Sequence, residues 1–75
     1  MIIFSRHSLL KLKQRNIGLE AVRKTLRFPD RTSSGYSDRT IAWKKLNGAY
    51  LKVVYRIENK NIIVITQHWT KKFKT

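Results

Sequence analysis

Asn47-Gly48, set between the β-prone runs Arg39 to Leu46 and Ala49 to Ile57, constrains this 75-residue chain more than any other dipeptide in it. Both central residues of a type I′ turn need positive φ, which Asn and Gly tolerate, so the pair predicts a two-residue hairpin in which Leu46 faces Ala49. Counting outward sets the register. Ala42, Leu46, Ala49, Leu51, Val53 and Ile57 share one sheet face, whereas Arg39, Ile41, Trp43, Lys45, Tyr50, Lys52, Val54 and Arg56 share the other. The first set is suited to a core; the second is basic and aromatic.

A turn around Asn59-Lys60 brings in a last strand, Ile62 to Gln67. Its run Ile62-Ile63-Val64-Ile65 is apolar on both faces, as in a strand with neighbours on either side. Ahead of the hairpin, Ile2-Ile3-Phe4 is a short β-prone start. Ser5 then stands where an N-cap would satisfy the first free amides of a helix running to about Arg15, with Leu9 and Leu12 as its apolar side. Gly18 is a second permissible N-cap, after which Leu19, Val22 and Leu26 fall on one helical face and Glu20 lies near the positive helix end. Phe28-Pro29-Asp30 stops that helix, because Pro disfavours helix in the residue before it. Asp30 to Asp38, with Thr32-Ser33-Ser34-Gly35 inside it, predicts a polar loop. Residues 1–75 thus make one domain, with a basic tail from about 70 to 75.

Seventeen Lys and Arg against four Asp and Glu give a formal net charge of +13, far beyond what solubility needs, so the expected partner is a polyanion. A chain this short buries only roughly 60% of its unfolded surface, and a partner would add to that burial. Cysteine is absent, which excludes disulfides, thiolate metal sites and cysteine nucleophiles. Hydrophobic residues at 41% still exceed what a disordered basic tail carries. No run of about 18 apolar residues is present, and the apolar start is too short for a signal peptide, so the chain reads as mature, soluble and cytoplasmic.

Arg39, Trp43, Lys45, Tyr50, Lys52 and Arg56 on one face suit single-stranded nucleic acid, where cations meet phosphates and rings stack on bases. A solvated cationic face is the plainer alternative, but it leaves the net charge unexplained. His7, Lys11 and Arg15 recur at i, i+4 and i+8 along one stripe of the first helix. His68-Trp69, followed by Lys71, Lys72 and Lys74, closes the last strand with an imidazole that titrates near neutral pH. Strict alternation would turn His68 toward the core, so a bulge or strand end must re-aim it. Glu20, Asp30, Asp38 and Glu58 are scattered, offering neither paired acids nor a metal-ligand cluster, and no metal or cofactor is expected. If the protein cleaves anything, RNA is the substrate that best fits such a set. Its own 2′-hydroxyl is the nucleophile, and the protein need only move protons and stabilise a dianionic phosphorane with cations.

The order strand, two helices, three antiparallel strands, with Leu51-Lys52-Val53-Val54-Tyr55-Arg56-Ile57 and Ile62-Ile63-Val64-Ile65-Thr66-Gln67-His68-Trp69, resembles the RelE/ParE toxin superfamily. His7 followed by Leu12, Arg15, Ile17, Val22, Leu26 and Pro29 is most similar to a compact branch related to the BrnT toxins. The resemblance implies a RelE-like β-α-α-β-β-β fold, with two helices packed on one face of a four-stranded, mainly antiparallel sheet. It implies the toxin of a toxin–antitoxin system, acting as a messenger-RNA endoribonuclease, on the ribosome or alone, and held inactive by an acidic antitoxin. Lys52, three positions before Tyr55, would act with Arg56 at the scissile phosphate, and His68 would shuttle protons. Lys45, Arg39 and the Lys71-Lys72 tail would position the RNA, Trp43 or Trp69 would stack a base, and His7 and Arg15 are further contact candidates. Two other classes stay open: a non-catalytic RNA- or ribosome-binding module, and a gyrase poison acting by protein contact.

Overall fold

In the computed structural model, which describes residues 1–71, the elements run β1 (Ile2–Phe4), α1 (Arg6–Gln14), α2 (Leu19–Arg27), β2 (Arg31–Ser34), β3 (Thr40–Leu46), β4 (Ala49–Glu58) and β5 (Asn61–Thr70). They form one sheet of order β1-β5-β4-β3-β2, in which β1 runs parallel to β5 and every other neighbouring pair is antiparallel. Leu12 of α1 and Val22 of α2 join Ile17, Leu51, Val53 and Val64 in a single core, so both helices cover the same sheet face.

The hairpin forms as its sequence dictates. Asn47 and Gly48 both have positive φ, and Leu46 pairs with Ala49. Ala42, Leu51 and Val53 are buried on the helix side, while Ile57, expected with them, is exposed. Asn59 and Lys60 make a second turn with φ of 51° and 68°. A Lys in that conformation is strained by its Cβ. Lys60→Gly would recreate Asn-Gly and is expected to raise stability by about 1 kcal/mol in urea unfolding; an unchanged or lower midpoint would show that the turn carries no such strain.

Ser5 caps α1, its Oγ accepting from the Ser8 amide at 3.0 Å. The end of α1 is closed by Asn16 at φ 54°, with the Ile17 amide donating to the Leu12 carbonyl at 2.9 Å and the Asn16 amide to the Lys13 carbonyl at 3.3 Å. That pairing satisfies the last carbonyls and turns Ile17 inward against Leu12. Contrary to the apolar side expected of α1, Leu9 is exposed and Ser8 is the residue turned inward beside Leu12.

The sheet departs from the four-stranded expectation through β2, which occupies the stretch anticipated as loop. Arg31, Thr32, Ser33 and Ser34 pair with Trp43, Ala42, Ile41 and Thr40. Such an edge strand is held by main-chain bonds and buries little side-chain surface, so no apolar alternation marks it in the sequence. Asp30 ties it to β3: its amide donates to the Trp43 carbonyl at 2.8 Å, and its carboxylate accepts from the Lys45 amide at 2.8 Å and lies 3.6 Å from Lys44 Nζ. The Lys45 amide, helped by the Lys44 charge, holds the Asp30 carboxyl below its usual value. Among the described residues no helix is long and apolar enough to cross a membrane.

Candidate nucleic-acid interface

The last strand carries a bulge that decides what this sheet presents. Tyr55 pairs with Val64 and Val54 with Thr66, which leaves Ile65 without an opposite residue in β4. One inserted residue reverses the alternation downstream. Val64 and Gln67 are therefore both buried on the helix face, and His68 is swung to the open face, directly across from Lys52.

Hydrogen bonds from Ser5 and Ser8 pin the bulge. The Ser5 amide donates to the Val64 carbonyl at 3.1 Å, and Ser5 Oγ donates to the Ile65 carbonyl at 3.2 Å. Inside, Ser8 Oγ donates to Gln67 Oε1 at 2.6 Å, while Gln67 Nε2 donates to the Ser8 carbonyl at 2.9 Å. From the end of α1, Arg15 reaches β5 and donates to the Gln67 carbonyl at 2.8 Å and to Thr66 Oγ1 at 3.3 Å. Arg15, Lys52 and His68 thus meet around the bulge, although they come from three elements.

His68 is half-buried, and that burial is the main reason its pKa falls below the usual imidazole value of 6.5; the Lys52 and Arg15 charges push the same way. The shift favours the neutral imidazole, the form that accepts a proton. Replacing Lys52 with Met should move the His68 midpoint upward in an NMR titration of its Hε1 proton, and an unmoved midpoint would separate the two side chains. The linkage has a definite sign. The unfolded chain takes up the proton more readily, so this group costs no stability above pH 6.5 and lowers stability as pH drops below it.

The other expected contacts do not gather at this cluster. Arg56 is four residues from Lys52, roughly 13 Å along the strand, and bonds Glu58 at 2.8 Å, so it does not share the Lys52–His68 cluster. Arg39 precedes β3 at the same end as Arg56, while exposed Lys45 and Lys71 lie toward the opposite end. His7 is exposed in the first turn of α1, two helical turns from Arg15, so these two do not act at one point. Lys72 lies outside the described residues.

Neither tryptophan presents a ring beside Lys52 and His68. Trp43 is on the open side by register but fully buried, so it serves packing and offers no ring face. Trp69 pairs with Leu51 and belongs to the helix side. Sequence reasoning missed Arg31, which β2 brings opposite Trp43 in the cross-strand row that contains Lys52 and His68, and missed the Ser8–Gln67 clamp. Only the core-side placement that strict alternation gives His68 signalled a bulge. Three of the four carboxylates, Glu20, Asp30 and Glu58, already pair with Arg23, Lys44 and Arg56, so the cationic excess is not balanced from within.

These features define a small α+β domain with helices on one sheet face and a cationic, imidazole-bearing surface on the other. Residues 4–66 match the family described as Domain of unknown function (DUF4258), and the chain belongs to that family. The matched span includes Arg15, Lys52 and Arg56 and ends two residues before His68. No curated protein and no solved structure matches the chain.

Proposed function

We propose that this domain is the toxin of a toxin–antitoxin pair and acts as a metal-independent endoribonuclease on messenger RNA, on the ribosome or alone. The observation that carries this is the meeting of His68 with Lys52 and Arg15 at the β5 bulge. In the reaction His68 takes the proton of a ribose 2′-hydroxyl, and that oxygen attacks the adjacent phosphorus. Lys52 and the guanidinium donors of Arg15 not used on β5 offset the charge gathering on the phosphorane oxygens. The phosphorus–O5′ bond breaks and O5′ leaves with a proton from solvent, giving a 2′,3′-cyclic phosphate and a 5′-hydroxyl. Arg39, Arg56, Lys45 and Lys71 would hold the strand on either side. An acidic antitoxin would neutralise the charge that the chain's own carboxylates leave uncompensated.

A second reading, a non-catalytic RNA- or ribosome-binding module, is favoured by one observation. Among the described residues, His68 is the one group of this cluster that ordinarily titrates near neutral pH, with no carboxylate beside it to act as its counterpart. The deciding experiment incubates the purified protein with RNA in EDTA, with and without ribosomes. Cleavage leaving 2′,3′-cyclic ends supports the enzyme; retention of intact RNA in both settings removes it and leaves the binding module.

A further inference from the structure

On the side of the sheet away from Lys52 and His68, a groove of about 720 Å³ lies between α2 and the tip of the β3–β4 hairpin. That size accommodates one small ligand or one residue-sized part of a larger one. Phe28, Leu46 and Trp69 contribute its apolar lining, and Arg23, Lys24 and Arg27 its cationic lining. Phe28 is 63% exposed and Trp69 38%, so both rings are accessible, in contrast to Trp43. Arg23 pairs with Glu20 at 2.8 Å, while Lys24 and Arg27 are exposed in the last turn of α2. Accessible rings beside clustered cations are the combination with which proteins hold single-stranded nucleic acid irrespective of sequence.

We propose that this groove is a base-binding subsite for single-stranded nucleic acid. One base stacks on Trp69 or Phe28, and its flanking phosphates pair with Lys24 and Arg27. The subsite rests on the RNA reading above for its class of ligand, but uses none of the side chains that hold or cleave RNA on the sheet face. An acidic amphipathic helix fits less well. Its anchors at i, i+3, i+4 and i+7 need an apolar stripe of roughly 10 Å, whereas the apolar lining here is two rings, Leu46 and the small Ala21. The division of labour is then simple: the sheet face reads phosphates, and the groove holds a base.

The probe is a 2′-O-methyl adenosine octamer, whose blocked 2′-oxygen cannot act as nucleophile, followed by tryptophan fluorescence. Binding should quench emission, and Trp69→Phe should remove that quench. Trp69→Ala should weaken binding by about tenfold, the scale of one lost base–aromatic stack. Lys24→Glu with Arg27→Glu, both on an exposed helix surface, should weaken it at least as much while the far-UV spectrum stays unchanged. Octamer binding that leaves Trp69 emission unaltered, with both variants as tight as wild type, overturns the subsite and leaves the sheet-face reading intact. Quenching that persists undiminished in Lys52→Ala supports the subsite as separate from the sheet face, and if the wild type then leaves unblocked RNA uncut, the ribonuclease is removed while the subsite stands. Should an 18-residue Leu/Glu amphipathic peptide saturate the groove where the octamer produces no quench, the ligand is a protein and the proposal fails.

Discussion

Gln67→Leu will cost this fold about 2 to 4 kcal/mol. The substitution is close to volume-conserving, so packing is nearly kept, but it removes both buried bonds between β5 and α1 and strands Ser8 Oγ without its acceptor. For a 75-residue domain the whole stability is on the order of 4–11 kcal/mol, so the loss is a large fraction of it. The same reasoning predicts a rescue. Adding Ser8→Ala deletes the orphaned hydroxyl, and replacing both members of a buried polar pair by apolar groups can be nearly neutral, so the double variant should recover most of the deficit. Urea unfolding of the two single variants and the double variant measures this directly. A single-variant cost under about 0.5 kcal/mol would mean that Gln67 does not hold the bulge. The consequence reaches the surface, because loss of that register would turn His68 away from Lys52.

If the proposed ribonuclease is correct, His68→Ala should slow cleavage by about 10²- to 10⁴-fold, the usual contribution of a positioned general base. Lys52→Ala should slow it by about 10²- to 10³-fold through lost phosphorane stabilisation. Because both side chains serve one transition state, the double variant should fall well short of the product of the two losses. The pH profile adds a further check. Activity should rise as His68 loses its proton and level off at a pH below that of an ordinary imidazole, and Lys52→Met should shift the rising limb to higher pH. Cleavage surviving in both single variants would remove the site; RNA bound but uncut by wild type would favour the binding module. Single-strand binding through several cations should in either case weaken with salt by roughly 0.7 log units per log unit for each phosphate contacted.

How far each feature was legible depended on the range of the interaction that creates it. Asn47-Gly48, Ser5 and Gly18 act within a few residues of themselves, so the hairpin register, both helix starts and the turn at Asn59-Lys60 follow from local backbone preference. The +13 charge and the basic side of the hairpin are likewise properties of the chain itself. β2 was not legible, since an edge strand paired through main-chain bonds needs no apolar pattern.

The site itself was decided in three dimensions. Lys52 could be placed on the open face by counting from the turn, but His68 joins it only because Ile65 bulges, and that bulge is held by Ser5 and Ser8 some sixty residues earlier. Arg15 enters through the same packing of α1 on β5. Trp43, a stacking ring by register, is buried by its surroundings, and Trp69, adjacent to His68 in the chain, comes to lie on the opposite face. Alternation along a strand is local, whereas a one-residue insertion in pairing is stabilised by contacts distant in sequence, and only those contacts determine which side chains meet.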